Sequence, residues 1–147
     1  MTLIFDGDYP LAYGAFDLNR DPTLSLAERR AQDDSDAEAL ACFPEMRRGG
    51  VAVALMKIAV RQLREGSGRP GTRGEPLTYA TAQGHLTYYN ALENAGEATV
   101  ITTRSQLQQH IARWEATAAS GDDAALASLP IGMIIGLESA DPILAPD

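Results

Sequence analysis

A single cysteine, Cys42, stands among the 147 residues. It has no partner in the chain, so no internal disulfide holds this fold together, and a reducing, cytoplasmic setting is the expectation. Histidine is almost as scarce, with only His85 and His110. Positive charge is also short: 12 Lys and Arg stand against 20 Asp and Glu, for a formal net charge of −8. That balance excludes a nucleic-acid surface, and the acidity otherwise reads as solubility and names no partner. No apolar run approaches the roughly 18–20 residues of a membrane span. The start, Met1 to Asp6, has no basic n-region, and Asp6 interrupts its apolar run, so no signal peptide is expected. Internal repeats, a Ser-His-Asp arrangement and a supported Cys-His pair are all missing.

What is present is ordinary for a soluble globular protein, at 45% hydrophobic and 22% charged residues. The length suits one modest domain, and residues 1–147 are expected to form it. Thr2 to Phe5 reads as a first strand ending on Asp6-Gly7-Asp8, and a short helical turn is expected between Tyr9 and Phe16. Ser25 with Glu28 three residues on predicts a capped helix through Ala31. Asp33 to Glu38 reads as a solvated acidic loop, and Val51 to Met56 as a second, buried strand. Pro76 suits the first turn of a helix whose apolar face is Tyr79, Ala82, Leu86, Tyr89 and Leu92, closed by Gly96. Thr99 to Ile101 is a short extended piece. Thr103 or Ser105 caps a second long helix with the stripe Leu107, Ile111, Trp114 and Ala118, broken at Gly121. Alternating strands and helices predict an α/β fold with a parallel sheet.

The last strand carries the strongest functional signal. Ile131 to Leu137 is nearly all apolar and closes on a carboxylate, Glu138. Such a run suits a strand buried on both faces of a parallel sheet. The C-terminal end of a parallel strand is where α/β folds and barrels place their chemistry. Asp6 and Asp8 after the first strand would converge with Glu138 there, as hard oxygen donors able to hold divalent metal. The alternative for Asp6 and Asp8 is a turn role, since Asp bonds its own backbone readily. The alternative for Glu138 is a salt bridge or a cap.

Ile4-Phe5-Asp6-Gly7, Arg47-Arg48-Gly49-Gly50-Val51 and the segment Ile131 to Asp141 together resemble the N-terminal part of the membrane (renal) dipeptidase family. The likeness runs over the whole chain in order and spacing, and would cover less than half of a family domain. The resemblance implies the first part of a (β/α)8 TIM-type barrel in the amidohydrolase superfamily, with zinc as cofactor and a dipeptide as substrate. It implies a metal-bridging hydroxide that attacks the peptide carbonyl. Glu138 matches the family's metal-bridging glutamate. The family's first strand ends in Asp-Gly-His-x-Asp; here Asp8 stands at the metal-binding His position, and Pro10 at the liganding Asp position, where it offers no side-chain donor. The family's later histidines and its acid/base aspartate would lie beyond Asp147. Asp8 and Glu138 are therefore the candidate metal ligands.

Three further features carry weaker expectations. Gly66 to Gly74 superficially resembles a phosphate-binding loop, but the Lys-Ser/Thr pair is replaced by Thr72-Arg73 and Pro70 removes a donor, so it reads as a flexible loop rimming the strand ends. A basic loop there could meet a substrate carboxylate. Tyr79, Tyr88, Tyr89 and Trp114 read as helix-on-sheet packing. His85 and His110 lie within helices, away from strand ends, and read as surface or helix-packing residues. A part-barrel exposes a sheet edge, so self-association or a missing C-terminal segment is expected. Besides the hydrolase, two readings stand: a catalytically inactive dipeptidase homologue acting as a binding or interaction module, and a free-standing α/β domain without metal.

Overall fold

The computed structural model describes residues 1–32, 41–66, 68 and 70–143. The acidic stretch from Asp33 to Glu38 lies outside these residues. Four parallel strands, β1 (Ile4–Tyr9), β2 (Val51–Ile58), β3 (Ala98–Val100) and β4 (Ile131–Leu137), form one sheet in the order β1-β2-β4-β3. The described helices are α1 (Leu11–Leu18), α2 (Leu26–Gln32), α3 (Phe43–Arg48), α4 (Glu75–Asn94), α5 (Arg104–Ser120) and α6 (Asp123–Ala127). The parallel α/β architecture read from the alternation is present and is consistent with a partial TIM-type fold. The sheet is open: β1 and β3 are its two edges and do not pair with each other among the described residues.

Strand order departs from simple chain order. The centre of the sheet is the β2–β4 ladder, paired continuously from Val53–Gly132 to Ile58–Leu137. β3 is three residues long and pairs only with Ile131, Gly132 and Met133 on the far side of β4. So short a strand cannot supply the inner ladder, whereas the apolar β4 can. This placement also corrects the expectation of a last strand buried throughout. Ile131, Gly132 and Met133 are buried beneath the β3 pairing, Ile134 to Gly136 are half-buried, and Leu137 is exposed.

β1 runs past the predicted Phe5 and takes in Asp6, Gly7 and Asp8. Its register against β2 shifts between Ile4 and Phe5 and again between Asp6 and Tyr9. Across the second shift the Asp6 Oδ1 accepts the Asp8 backbone N–H at 3.0 Å. The local side-chain bond substitutes for ladder pairing, which is why a period-two reading stops early.

Two long helices obey their sequence signals at the ends. α4 carries Pro76 in its first turn. α5 begins in a full capping box between Thr103 and Gln106 and ends on Gly121 at φ 72°. The buried face of α4 is rotated from the expected one, to Thr78, Ala82, His85, Tyr89 and Leu92, leaving Tyr79 at 40% exposure. Tyr89 fixes that rotation. Its hydroxyl donates to the Lys57 carbonyl at 2.6 Å and accepts the Ala12 N–H at 3.3 Å, tying α4 to β2 and α1. Burial pushes this phenol up to about 12. Gly84, inside α4, lets Phe16 of α1 approach: a Cβ there would sit 3.3 Å from the Phe16 ring.

At the N-terminal end of the sheet, the Arg47-to-Val51 segment is structural. The guanidinium of Arg47 is buried and donates to the Leu129 carbonyl at 2.7 Å, the Glu97 carbonyl at 3.0 Å and the Glu97 carboxylate at 2.7 Å. Gly50 has φ 77° and closes on Thr2, where a Cβ would lie 2.8 Å from the carbonyl oxygen. Trp114 is fully buried and donates to the Pro130 carbonyl at 3.1 Å. His110 donates from Nε2 to the Ala52 carbonyl at 2.9 Å, and Gly132 leaves it room: a Cβ there would meet Nε2 at 2.9 Å. A neutral ring donating from Nε2 satisfies this bond. His110 is thus the helix-packing residue the sequence suggested.

Candidate functional site

The chemistry-bearing side chains gather at the C-terminal ends of the strands. β2 is apolar except for Lys57, whose ammonium reaches the Asp8 carboxylate at 2.7 Å. The bond to Asp8 raises the lysine pKa, and the charges of Asp8 and Glu138 add to it. Lys57 therefore lies within the fields of both candidate ligands. Glu138 follows β4 directly, its N–H bonded to the Ile58 carbonyl at 3.2 Å, so the strand ladder aims it. Its Oε1 accepts from the Arg61 guanidinium at 2.6 Å, with both side chains about one-third exposed at 38% and 33%. Asp141 accepts from Arg64 at 3.0 Å and from the Gln62 N–H at 2.9 Å, and the Ser139 hydroxyl donates to the Val60 carbonyl at 3.0 Å. The segment after β4 is thereby stitched to the segment after β2.

The structure brings Asp8 and Glu138 to the same end of the sheet, on strands separated by β2. Each is held by its own cation. Asp6 takes the backbone role that was its alternative reading. Pro10 caps the N-terminus of α1 and contributes no side-chain bond. Among the described residues, no group of three or more His, Cys, Asp and Glu could hold a metal ion. A catalytic zinc usually takes three protein ligands, so these residues alone do not fit a zinc centre.

The loop after β2 does rim the strand ends. Thr72 is tied to it by N–H donation to the Arg61 carbonyl at 3.0 Å and by carbonyl acceptance from the Leu63 N–H at 2.8 Å. Gly71 fits this closure because a Cβ would lie 2.8 Å from the Leu63 nitrogen. Ser67 and Arg69 are outside the described residues, so the basic-loop idea rests on no described geometry at Arg69. Pro70, Gly71 and Thr72 form one wall of a cavity of about 500 Å³ that also meets Arg61, Glu138 and His85.

Sequence reasoning missed Lys57 and Arg61 as site residues. The signal for Lys57 was a lone ammonium in an apolar strand. Arg61 gave none, since its partner lies 77 positions away. His85, read as a surface or helix-packing residue, takes the packing role: it is 1% exposed, with its ring 5.1 Å from that of Phe16 between centroids. No described helix is long and apolar enough to cross a membrane.

No protein-family model matches the chain, and no curated protein matches it in sequence. Among solved structures, the chain is similar to the crystal structure of a metallopeptidase named dipeptidase AC, with a TM-score of 0.56 at 15% identity. The likeness covers 96% of this chain and 36% of that one. At that identity it shows a shared fold: the chain has the fold of part of a metallo-dipeptidase.

Proposed function

We propose that this chain is part of a metal-dependent, dipeptidase-like hydrolase, to which it contributes Glu138 and Asp8 as metal ligands. The observation that carries the reading is the position of Glu138, presented by the central strand at the C-terminal end of a parallel sheet whose fold is that of a metallo-dipeptidase. Zinc and a dipeptide substrate belong to the proposal. Two carboxylates are too few for the centre, so its other ligands come from outside the described residues, and no catalytic step is derived from these two alone. The open edge of β1 and the exposed Ile4, Phe5 and Leu137 support self-association or a covering C-terminal segment, as the same proposal requires.

Zinc titration by calorimetry, beside a dipeptide hydrolysis assay, tests this. The expected result is weak zinc binding that Glu138→Gln removes and Arg61→Met strengthens, because the latter frees the carboxylate. No zinc binding in either the unmodified chain or Arg61→Met, with no hydrolysis, overturns it. A second reading, an inactive homologue acting as a binding module, is favoured by the ion pairs that already occupy Asp8 and Glu138. It predicts that second outcome.

A further inference from the structure

Between α1 and α4 the fold holds hydrogen-bonding capacity that it does not use. His85 is buried, and neither ring nitrogen has a partner. Burial pushes its pKa below the usual range, so the ring is neutral at pH 7, with one N–H and one lone pair. A buried polar group left unbonded costs about 1–3 kcal/mol, a poor choice if the position needed only to be filled. The ring lines the cavity of about 500 Å³, a size typical of small-molecule sites.

Two helix faces build the polar wall of that cavity. Tyr13 and Asp17 stand one turn apart on α1, and Thr81 and His85 one turn apart on α4. The Thr81 hydroxyl is already bonded to the Leu77 carbonyl at 2.8 Å. The Tyr13 hydroxyl and the Asp17 carboxylate make no hydrogen bond or ion pair among the described residues, and Asp17 acts electrostatically on His85. Across the cavity Arg61 is neutralised by Glu138 at 2.6 Å. Among the described residues, Asp17 is thus the one lining charge without a counter-charge. Pro10, Val60 and Pro70 supply apolar surface.

We propose that this cavity binds a small organic cation, an ammonium or amidinium group on an apolar stem, with its charged end between Asp17 and the free nitrogen of His85. The N–H donors of such a group bond the carboxylate and the imidazole lone pair, and the stem lies on the prolines and Val60. An anion would meet Asp17 and Glu138 and find Arg61 already engaged. The site needs no metal, but it shares Glu138 with the proposed metal centre, so binding measured without metal keeps failure of the two readings apart.

The test uses isotope-labelled protein without added metal, and the ring resonances of its two histidines. Benzylamine is titrated in, with benzyl alcohol and benzoate as neutral and anionic isosteres. The expected result is a saturable shift of His85 with benzylamine alone, while His110, bonded to Ala52, stays still. Asp17→Asn, at an exposed position, should weaken binding by about tenfold or more, the equivalent of one charge-assisted hydrogen bond. His85→Leu should abolish binding as read by calorimetry. Equal shifts with benzyl alcohol, no shift with benzylamine at millimolar concentration, or unchanged affinity in Asp17→Asn each overturn the proposal.

Discussion

The two histidines mark two differently built regions. Around His110, Trp114 and Arg47, every buried polar side chain has found a carbonyl or carboxylate, and Gly132 is cut back so that the ring fits against the sheet. Around His85, between α1 and α4, a ring equally enclosed by protein has no partner and borders open space. Burial lowers the pKa of both histidines, so burial alone does not separate them. What differs is hydrogen-bond completion: the first region is built for rigidity, and the second leaves groups available.

The largest test of that contrast is Trp114→Ala, which should cost about 3–5 kcal/mol in chemical denaturation by removing a fully buried indole from the completed region. Arg47→Met should cost about 2–3 kcal/mol, since it leaves the Leu129 carbonyl and Glu97 without their charged donor. A loss under about 0.5 kcal/mol in either would break the description of that region. The matched pair His110→Leu and His85→Leu is sharper, though smaller. The first leaves the Ala52 carbonyl unbonded and should cost about 1–3 kcal/mol, whereas the second removes no hydrogen bond and should leave the melting temperature unchanged or raised.

pH offers a test without substitution. Both rings are held neutral in the folded state, while the unfolded chain protonates near its reference value of about 6.5. Below that value the unfolded state binds more protons, so stability is full above about pH 7 and declines as pH falls towards about 5. The double Leu variant should flatten that slope in urea melts. The smallest effect belongs to Glu138→Gln: its pairing with Arg61 is about one-third exposed, and the loss should stay within about 1 kcal/mol.

The sequence was most legible where local chemistry decides. Thr103, one of the two caps expected, opened α5, the Ser25 hydroxyl and Glu28 carboxylate bonded at 2.7 Å, and Pro76 opened α4. It was least legible where distant segments decide. The rotation of α4 is set by Tyr89 reaching Lys57 across 32 positions, so Tyr79 was misread as packing. The strand order depends on which apolar run outcompetes β3 for β2. For the candidate site, the apolar run marked the strand that Glu138 closes, and Glu138 does follow β4 directly. Its Arg61 partner, and the orphaned state of His85, exist only once α1, α4 and the post-β2 segment are assembled.

The central position of β4 has a consequence for how the molecule comes to be folded. Its partners on β2, from Val53–Gly132 to Ile58–Leu137, are separated by as much chain as Val60 and Ser139, 79 positions. The ladder that defines the sheet is thus among its most non-local contacts, and α4 and α5 both leave the ribosome before the strand that completes it. Topologies of that kind fold slowly, since the entropy of closing the loop is lost before any strand contact compensates it. Until β4 arrives, two amphipathic helices coexist with an apolar β2 that only β1 can pair, an interval in which a chaperone or a neighbouring nascent chain competes for the place β4 will take.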